Sequence, residues 1–309
     1  MTRWAQAHIR AGTALAAACA VSATLASAAA LAAPGIDVYR GTGAWVDIYD
    51  GQVLSDSEPA LDRVAREGVR TLYVETANFH SPRFGAIARP AETAALIDGA
   101  HRRGLRVIAW YLPSFRGVRW DLRRSLAAIG FTTPAGGRFD SFALDIESNV
   151  VHSIPTRNRR ALELSRRIRA AVGPGYPLGA IVPDARSTAR LLPSMWPRFP
   201  YRRLRPLYDA FLPMAYSTAR GRGSRYIFRY TRDNVAYLRL ATHDPVLPVH
   251  VIGGLANKLR ATEANAVVDA SRATQAIGVS FYKQSLSGRE EWRALRRFDG
   301  VSDSTVRRP

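Results

Sequence analysis

Two carboxylates stand two residues apart at the end of an apolar run in the middle of the chain. The stretch 139–147 reads FDSFALDIE and closes on Asp145 and Glu147. If this run is a β-strand, alternation places both side chains on one face, with Cα atoms roughly 6.7 Å apart. Such a pair suits general acid chemistry, because one ionised carboxylate keeps its neighbour protonated. The alternative is that one acid caps the next loop or pairs with an arginine.

The residues around this pair follow a repeating strand–helix pattern. Short runs rich in β-branched and aromatic residues recur from residue 44 onward, and apolar residues at helical spacing follow each run. The predicted strands are Ala44–Tyr49, Arg70–Thr76, Arg106–Leu112, Ser141–Glu147, Pro177–Pro183, Ala210–Tyr216, Pro248–Gly253 and Ile277–Lys283. The predicted helices are Pro59–Glu67, Ala91–Arg103, Trp120–Ile129, Arg157–Val172, Arg225–Thr242, Ala261–Gln275 and Arg289–Arg296, with a short one near Arg202–Tyr208.

Eight strands alternating with eight helical stretches predict a single (β/α)8 barrel, from residue 37 to residue 300. The competing architecture is an open doubly wound sheet, which usually carries a glycine-rich phosphate turn after an early strand. Here the first strand runs into Asp50-Gly51-Gln52-Val53, which has no GxGxxG or Walker pattern. Residues 301–309 are predicted to form a C-terminal tail.

Acids and aromatic residues gather at the carboxyl ends of the predicted strands, where such barrels carry their chemistry. Besides the pair on strand four, these ends hold Asp47, Glu75, Trp110, Tyr111, Asp184, Tyr216, Tyr282 and Lys283. Because aromatic rings stack on sugars and carboxylates bind hydroxyls, we expect a carbohydrate site at the barrel mouth. Structural alternatives are that Asp47 and Glu75 are ion-paired, that Trp110 is buried packing, and that Lys283 extends to solvent.

The sequence does not favour metal, thiol or serine chemistry. The six histidines are scattered without an HxH or HExxH pattern, and there is no GxSxG elbow. The only cysteine, Cys19, lies in the N-terminal segment, so neither a disulfide framework nor a catalytic thiol is expected. We therefore expect no metal and no cofactor.

The first 33 residues have the pattern of a secretory signal peptide. Arg3 and Arg10 precede an alanine-rich stretch without acids, and Ala30-Leu31-Ala32 supplies small residues for cleavage, with Ala26-Ser27-Ala28 as a second site. The alternative is a retained membrane anchor. No later stretch is apolar enough to span a bilayer, so we expect a secreted protein, extracellular or associated with the cell wall, without a stable membrane span.

The formal net charge is +19, and only Lys258 and Lys283 among the 44 basic residues are lysines. The arginines are spread over several predicted helices and do not form one stripe with interleaved aromatics, so a nucleic-acid partner is not expected. We interpret them mainly as solvated helix faces, with weak attraction to anionic cell walls as a second possibility.

The fourth strand resembles the signature DxxDxDxE of the chitinase-like glycoside hydrolase family 18. Asp140, Asp145 and Glu147 match its first Asp, its last Asp and its Glu. Ala143 stands where that signature has its second Asp. A DxE on strand four also occurs in lysozyme-like family 25 barrels, which carry an aspartate on strand one, a position that Asp47 could fill.

Two further strands bear on the resemblance to family 18. Met214-Ala215-Tyr216 falls where that family has Met-x-Tyr at the end of strand six. On strand eight, where the family usually has a tryptophan, this chain offers Phe281 and Tyr282.

The resemblance to family 18 implies a glycosidase that acts on N-acetylated or cell-wall polysaccharide. Glu147 would protonate the glycosidic oxygen, Asp145 would orient the substrate's N-acetyl group as it attacks its own anomeric carbon, and Tyr216 would hydrogen-bond the acetamide. Ala143 implies that Asp145 ionises more readily and couples more directly to Glu147. The alternatives are a non-catalytic carbohydrate-binding barrel with a degenerate site, and an arginine-rich surface that attaches to anionic polymer without a cleft. The oligomeric state is not indicated.

Overall fold

Eight parallel strands close into one barrel. A computed structural model describes residues 35–81, 85–186, 188 and 195–299. The strands are β1 Gly41–Val46, β2 Thr71–Asn78, β3 Arg106–Leu112, β4 Ser141–Asp145, β5 Leu178–Pro183, β6 Ala210–Met214, β7 His250–Leu255 and β8 Gly278–Tyr282. Each strand pairs with the next, and β8 pairs with β1, so the sheet has no free edge. The predicted (β/α)8 barrel is confirmed.

Helices follow the strands around the outside of the barrel. They are α1 Gly51–Ser55, α2 Glu58–Arg66, α3 Pro90–Arg102, α4 Val118–Ile129, α5 Ile154–Val172, α6 Tyr201–Leu204, α7 Ser224–Thr242, α8 Ala261–Ala273 and α9 Arg289–Asp299. The eight predicted helical stretches correspond to α2 through α9, and α1 is a short additional turn of helix. Among the described helices, none combines the length and hydropathy that a membrane span requires.

Local sequence signals fix the ends of α5, the helix that follows the carboxylate pair. The Ser153 side chain accepts a hydrogen bond from the Thr156 amide, and Pro155 lies in the first turn, where its missing N–H costs nothing. Gly173 ends the helix with a φ of 74°, which glycine adopts without strain. The helix is thus held in place directly after the loop that carries Glu147.

Strand side chains alternate between two apolar layers. Outward residues such as Leu144 and Val107 pack beneath the helices, and inward residues such as Trp45, Tyr73 and Trp110 fill the barrel. This is the arrangement of a packed barrel interior rather than a pore. Chemistry is therefore confined to the open end above these side chains.

The pairing register shows which inward side chains stand at the same height. Glu75 pairs with Trp110, and Trp110 pairs with Ala143. The strands of a (β/α)8 barrel tilt against its axis, so residues at equal height are shifted by about one position from each strand to the next. Two strands beyond Glu75, the residue at its height is therefore Asp145 rather than Ala143. The same step around the even strands gives one layer of Glu75, Asp145, Met214 and Tyr282.

The predicted signal peptide, residues 1–33, and the predicted tail, residues 301–309, lie outside the described residues. All the described residues belong to one compact unit.

Candidate active site

The carboxylate pair stands at the carboxyl end of β4. The strand ends at Asp145, two residues earlier than predicted, and Glu147 follows in a turn. Asp145 is 5% exposed inside the barrel, Ile146 packs into the outer core, and Glu147 is exposed at the mouth. The alternation expected from the sequence thus continues past the end of the strand.

The surroundings of this pair oppose ionisation. Burial, the charge of Glu147 and the charge of Glu75 raise the pKa of Asp145 well above its ordinary value. Its Oδ1 atom is buried without a hydrogen-bond partner among the described residues. Burial and two neighbouring acids thus oppose the ionisation of Asp145 even with alanine at position 143. That Asp145 ionises more readily than it would beside an aspartate at that position stays a prediction. Although the Glu147 side chain reaches solvent, the protein around it removes part of its hydration, and this desolvation raises its pKa too.

Tyr216 completes this group from the end of β6, two strands round the barrel from β4. It follows β6 and is half-buried, and burial together with the charges of Glu147 and Asp145 raises the pKa of its hydroxyl well above the ordinary value. Its phenol therefore remains protonated and can donate a hydrogen bond. The three residues predicted as catalytic thus lie together at the mouth.

An aromatic floor lies beneath the pair. Trp45 stacks on Tyr73 with ring centroids 4.2 Å apart, and Trp110 meets Trp45 edge-on at 5.9 Å. Ala143 belongs to the same inner cluster, so aromatic rings pack where the family 18 signature has an acid. Trp110, 5% exposed, is part of this floor rather than of the open surface.

Trp45 was not predicted as a site residue. Its indole Nε1 donates to Ser280 Oγ at 2.8 Å, and its ring centroid lies 6.4 Å from that of Tyr282. Asp47 directly follows β1 and stands two residues after Trp45, so alternation from Asp47 was the signal that could have identified Trp45. Trp45 thus contacts β8, the strand from which family 18 usually supplies a tryptophan.

A charged network joins the ends of β1 and β8. Lys283 Nζ lies 2.8 Å from Asp47 Oδ2 and 2.7 Å from Asp50 Oδ1. The Tyr282 hydroxyl donates to Asp47 Oδ2 at 2.9 Å, and Ser285 Oγ donates to Asp50 Oδ1 at 2.8 Å. Burial alone would lower the pKa of Lys283, but its hydrogen bonds with the two aspartates raise it. Asp47 is therefore ion-paired, as the structural alternative expected. The Lys283 side chain turns inward rather than to solvent.

Glu75 lies between this network and the carboxylate pair. Its Oε2 accepts the Ile48 amide at 3.0 Å, and its Oε1 accepts Asn78 Nδ2 at 2.9 Å. Burial raises its pKa to about 7, against the effect of these two hydrogen bonds. Glu75 is thus a third acid of the mouth that holds a proton near neutral pH, and it forms no direct ion pair with any described residue.

Two predicted site residues lie elsewhere. The Tyr111 hydroxyl donates to Asp121 of α4 at 2.6 Å, in the layer between barrel and helices. Because Trp110 faces inward, its neighbour must face outward. Asp184, one residue beyond β5, accepts the hydroxyl of Tyr230 on α7 at 2.6 Å. The structure does not bring Tyr111 or Asp184 to the mouth.

A polar group also lies at the base of the barrel interior. His250 Nε2 lies 3.0 Å from Ser280 Oγ, and Nδ1 lies 2.9 Å from the Tyr39 carbonyl. Burial lowers the pKa of His250 to about 4, so the ring is neutral. A side chain at Gly43 would approach Tyr73 to 2.7 Å and the His250 ring to 3.3 Å, so only glycine fits there. Within the described parts of the chain, no three His, Cys, Asp or Glu side chains gather as metal ligands.

Comparison with known proteins gives a likeness in fold. The chain matches no protein-family model, and no curated protein sequence matches it significantly. An endo-β-1,4-mannanase from Thermotoga petrophila superposes with a TM-score of 0.64 and 10% identity, covering 87% of this chain and 78% of that one. The spore cortex-lytic enzyme SleL from Bacillus cereus gives 0.62 and 11%, covering 83% and 74%.

A chitinase from Chromobacterium violaceum superposes with a TM-score of 0.58 and 13% identity, covering 87% of this chain and 100% of that one. At these identities the likeness shows the fold alone. The chain therefore has the (β/α)8 architecture that these glycoside hydrolases share.

Proposed function

We propose that the protein is a secreted glycosidase that cleaves N-acetylated or cell-wall polysaccharide, with Glu147 as general acid. The observation that carries the proposal is the grouping of Asp145, Glu147 and Tyr216 above an aromatic floor. Structural neighbours that include a chitinase and a cortex-lytic enzyme support the same class of reaction. A poly- or oligosaccharide is the expected partner.

The positions of the acids favour participation of the substrate's own acetamide. The described acids of the mouth come from the ends of β1, β2 and β4, namely Asp47, Asp50, Glu75, Asp145 and Glu147. A two-carboxylate mechanism needs a second acid across the sugar from the first. The acids three strands away, Asp47 and Asp50 at the end of β1, are both paired with Lys283. Three strands away in the other direction, β7 ends in Leu255. An internal nucleophile on the substrate removes the need for that second acid.

The proposed reaction proceeds in two steps. Glu147 donates its proton to the glycosidic oxygen as the bond from that oxygen to the anomeric carbon breaks, and the acetamide oxygen forms a bond to the same carbon. Tyr216 donates a hydrogen bond to the acetamide, and Asp145 accepts its N–H. Water then attacks the anomeric carbon as the bond from that carbon to the acetamide oxygen breaks, and the Glu147 carboxylate takes a proton from the water. Glu147 is thereby restored to its acid form.

Exchange of one carboxyl group for an amide tests the proposal. Glu147→Gln keeps the shape of the side chain but cannot deliver a proton, so we expect turnover to fall about 10²–10⁴-fold while substrate binding is largely kept. Release of reducing ends from chitin oligomers, peptidoglycan and neutral polysaccharides measures it. Glu92→Gln, a partly exposed glutamate of α3, is the matched control and should retain full activity. Full activity of Glu147→Gln would place the acid elsewhere.

A second candidate is a carbohydrate-binding barrel without turnover. Ala143 and the unpartnered Oδ1 of Asp145 favour it, because nothing beneath Asp145 helps to hold its charge. If the wild type binds these glycans without releasing reducing ends, the protein is a carbohydrate-binding barrel and the glycosidase proposal is excluded.

A further inference from the structure

The stretch from His152 to Tyr208 has a strong charge bias. It contains twelve arginines and only two acids, Glu163 and Asp184, and there is no acid at all between Asp184 and Asp209. Helix α5 supplies six of these arginines. The positive charge of this stretch is thus poorly balanced by acids of its own.

Several of these arginines serve the fold. Arg157 donates to the carbonyls of Val151 and Asn149 and stacks over Trp196. Arg205 pairs with Asp244 at 2.6 Å. These side chains are committed to internal contacts and are not available to a ligand.

Four others converge on one groove. Arg159 and Arg166 lie seven residues apart on one face of α5, and Arg198 and Arg203 face them from the segment 195–203. All four are exposed, and their guanidinium groups make no hydrogen bond or ion pair with the described residues. The groove has a volume of 750 Å³, and its other lining residues are Ile154, Pro155, Asn158 and Pro197.

The groove differs in charge from a larger cavity of 1090 Å³ at the opposite end of the barrel. Arginines line that cavity too, but they stand beside Asp37, Asp269 and Asp299. Among the described residues, no acid lines the groove beside α5. Its four free guanidinium groups therefore lack counter-charges from the protein.

We propose that this groove binds an acidic glycan through guanidinium pairs with its carboxylate or phosphate groups. Arginine matches both anions with two parallel hydrogen bonds. Binding of single-stranded nucleic acid relies on aromatic side chains that stack on bases, and none lines this groove. The groove begins at the first turn of α5, seven residues after Glu147, on the end of the barrel that carries the carboxylates. An acidic polymer held there can extend toward the mouth.

The test compares two variants of equal charge in the full chain. The groove variant carries Arg159→Gln, Arg166→Gln, Arg198→Gln and Arg203→Gln. The control variant carries Arg63→Gln, Arg66→Gln, Arg272→Gln and Arg289→Gln, four exposed arginines of α2, α8 and α9. The probes are polygalacturonate for carboxylates, poly(glycerol phosphate) for phosphodiesters, neutral dextran and oligo(dT).

The wild type should bind at least one acidic polymer at low salt and should not bind dextran. We expect the groove variant to bind that polymer at least about tenfold more weakly, and the control variant to stay within about threefold of the wild type. The tighter of the two acidic polymers identifies the anion. Equal weakening of both variants, absence of binding to either acidic polymer, or tighter binding of oligo(dT) would overturn the proposal. Thermal unfolding of both variants verifies that they are folded.

Discussion

Glu75 is a carboxyl group whose protonation the fold controls. The residue is 4% exposed, and burial raises its pKa to about 7. The folded protein therefore binds this proton more tightly than the unfolded chain does. By linkage, the contribution of Glu75 to stability falls as the pH rises from the ordinary glutamate range to the pKa of the folded state, and is constant above it.

We expect Glu75→Gln to remove this part of the pH dependence. The shift corresponds to on the order of 3 kcal/mol, so the wild type should lose about that much more stability than the variant between about pH 4 and 8. Urea unfolding across this range measures the free energy of each protein. Glu92→Gln should follow the wild type. Parallel curves for Glu75→Gln and the wild type would contradict the burial of this charge.

Alternation along strands predicted much of the candidate site. Asp47, Glu75 and Asp145 lie at or near the carboxyl ends of different strands, and the structure brings them to one mouth. The same rule separates Trp110 from Tyr111, since neighbours on a strand cannot both face inward. Asp184 is different, because it lies beyond the end of β5 and its direction is set by Tyr230, which is 46 residues away in the sequence. A single sequence contains no local signal for that contact.

The elements at the base of the barrel depend on one arginine of α5. Arg169 donates to the carbonyls of Leu207, Gly173 and Tyr176 and to Asp209 Oδ2, the last at 2.7 Å. It thereby ties the C-terminal end of α5 to the turns that lead into β5 and β6. The Arg169 side chain is 16% exposed, so its guanidinium group has little access to water.

We expect Arg169→Met to lower the free energy of unfolding by about 2–3 kcal/mol, because three carbonyls and one carboxylate lose a charged donor. Arg167→Met is the matched control on the same helix. Arg167 pairs with exposed Glu163 of the same helix, and both side chains are well hydrated, so its loss should cost at most about 0.5 kcal/mol. Chemical denaturation of both variants measures the difference. Equal effects would show that Arg169 does not hold these turns together.

The boundaries of elements were less predictable than their order. β1 begins at Gly41, three residues before the predicted start. Glycine lacks the β-branched side chain that favours a strand, and the start is set instead by the pairing of Gly41 with Gly278 on β8. α5 begins at Ile154, three residues early, where Ser153 and Pro155 mark the start. The segment after β5 was predicted to be irregular with a short helix, and α6 with the following 3-10 turn fits that description.

At the scale of the whole molecule, closure of the barrel brings its first and last strands, which are far apart in the sequence, into contact. β8 must pair with β1, and α9 packs over that junction. Trp292 and Leu295 of α9 are 3% and 1% exposed. The Asp299 carboxylate accepts a hydrogen bond from Thr42 Oγ1 at 3.3 Å, and it lies 3.4 Å from Arg70 Nε. The last helix is therefore part of the seam between β1 and β8.

A chain that ends at Gly288 should lose the cooperative thermal transition of the intact protein. Burial of the Trp292 and Leu295 side chains contributes on the order of 5 kcal/mol, which is comparable with the whole stability of a typical domain. A chain that ends at Asp299 keeps every described contact of α9, so it is the matched control and should unfold at the temperature of the full chain. Circular dichroism during heating measures both transitions. If the chain that ends at Gly288 unfolds like the full protein, the barrel closes without α9 and the seam is stabilised by strand pairing alone.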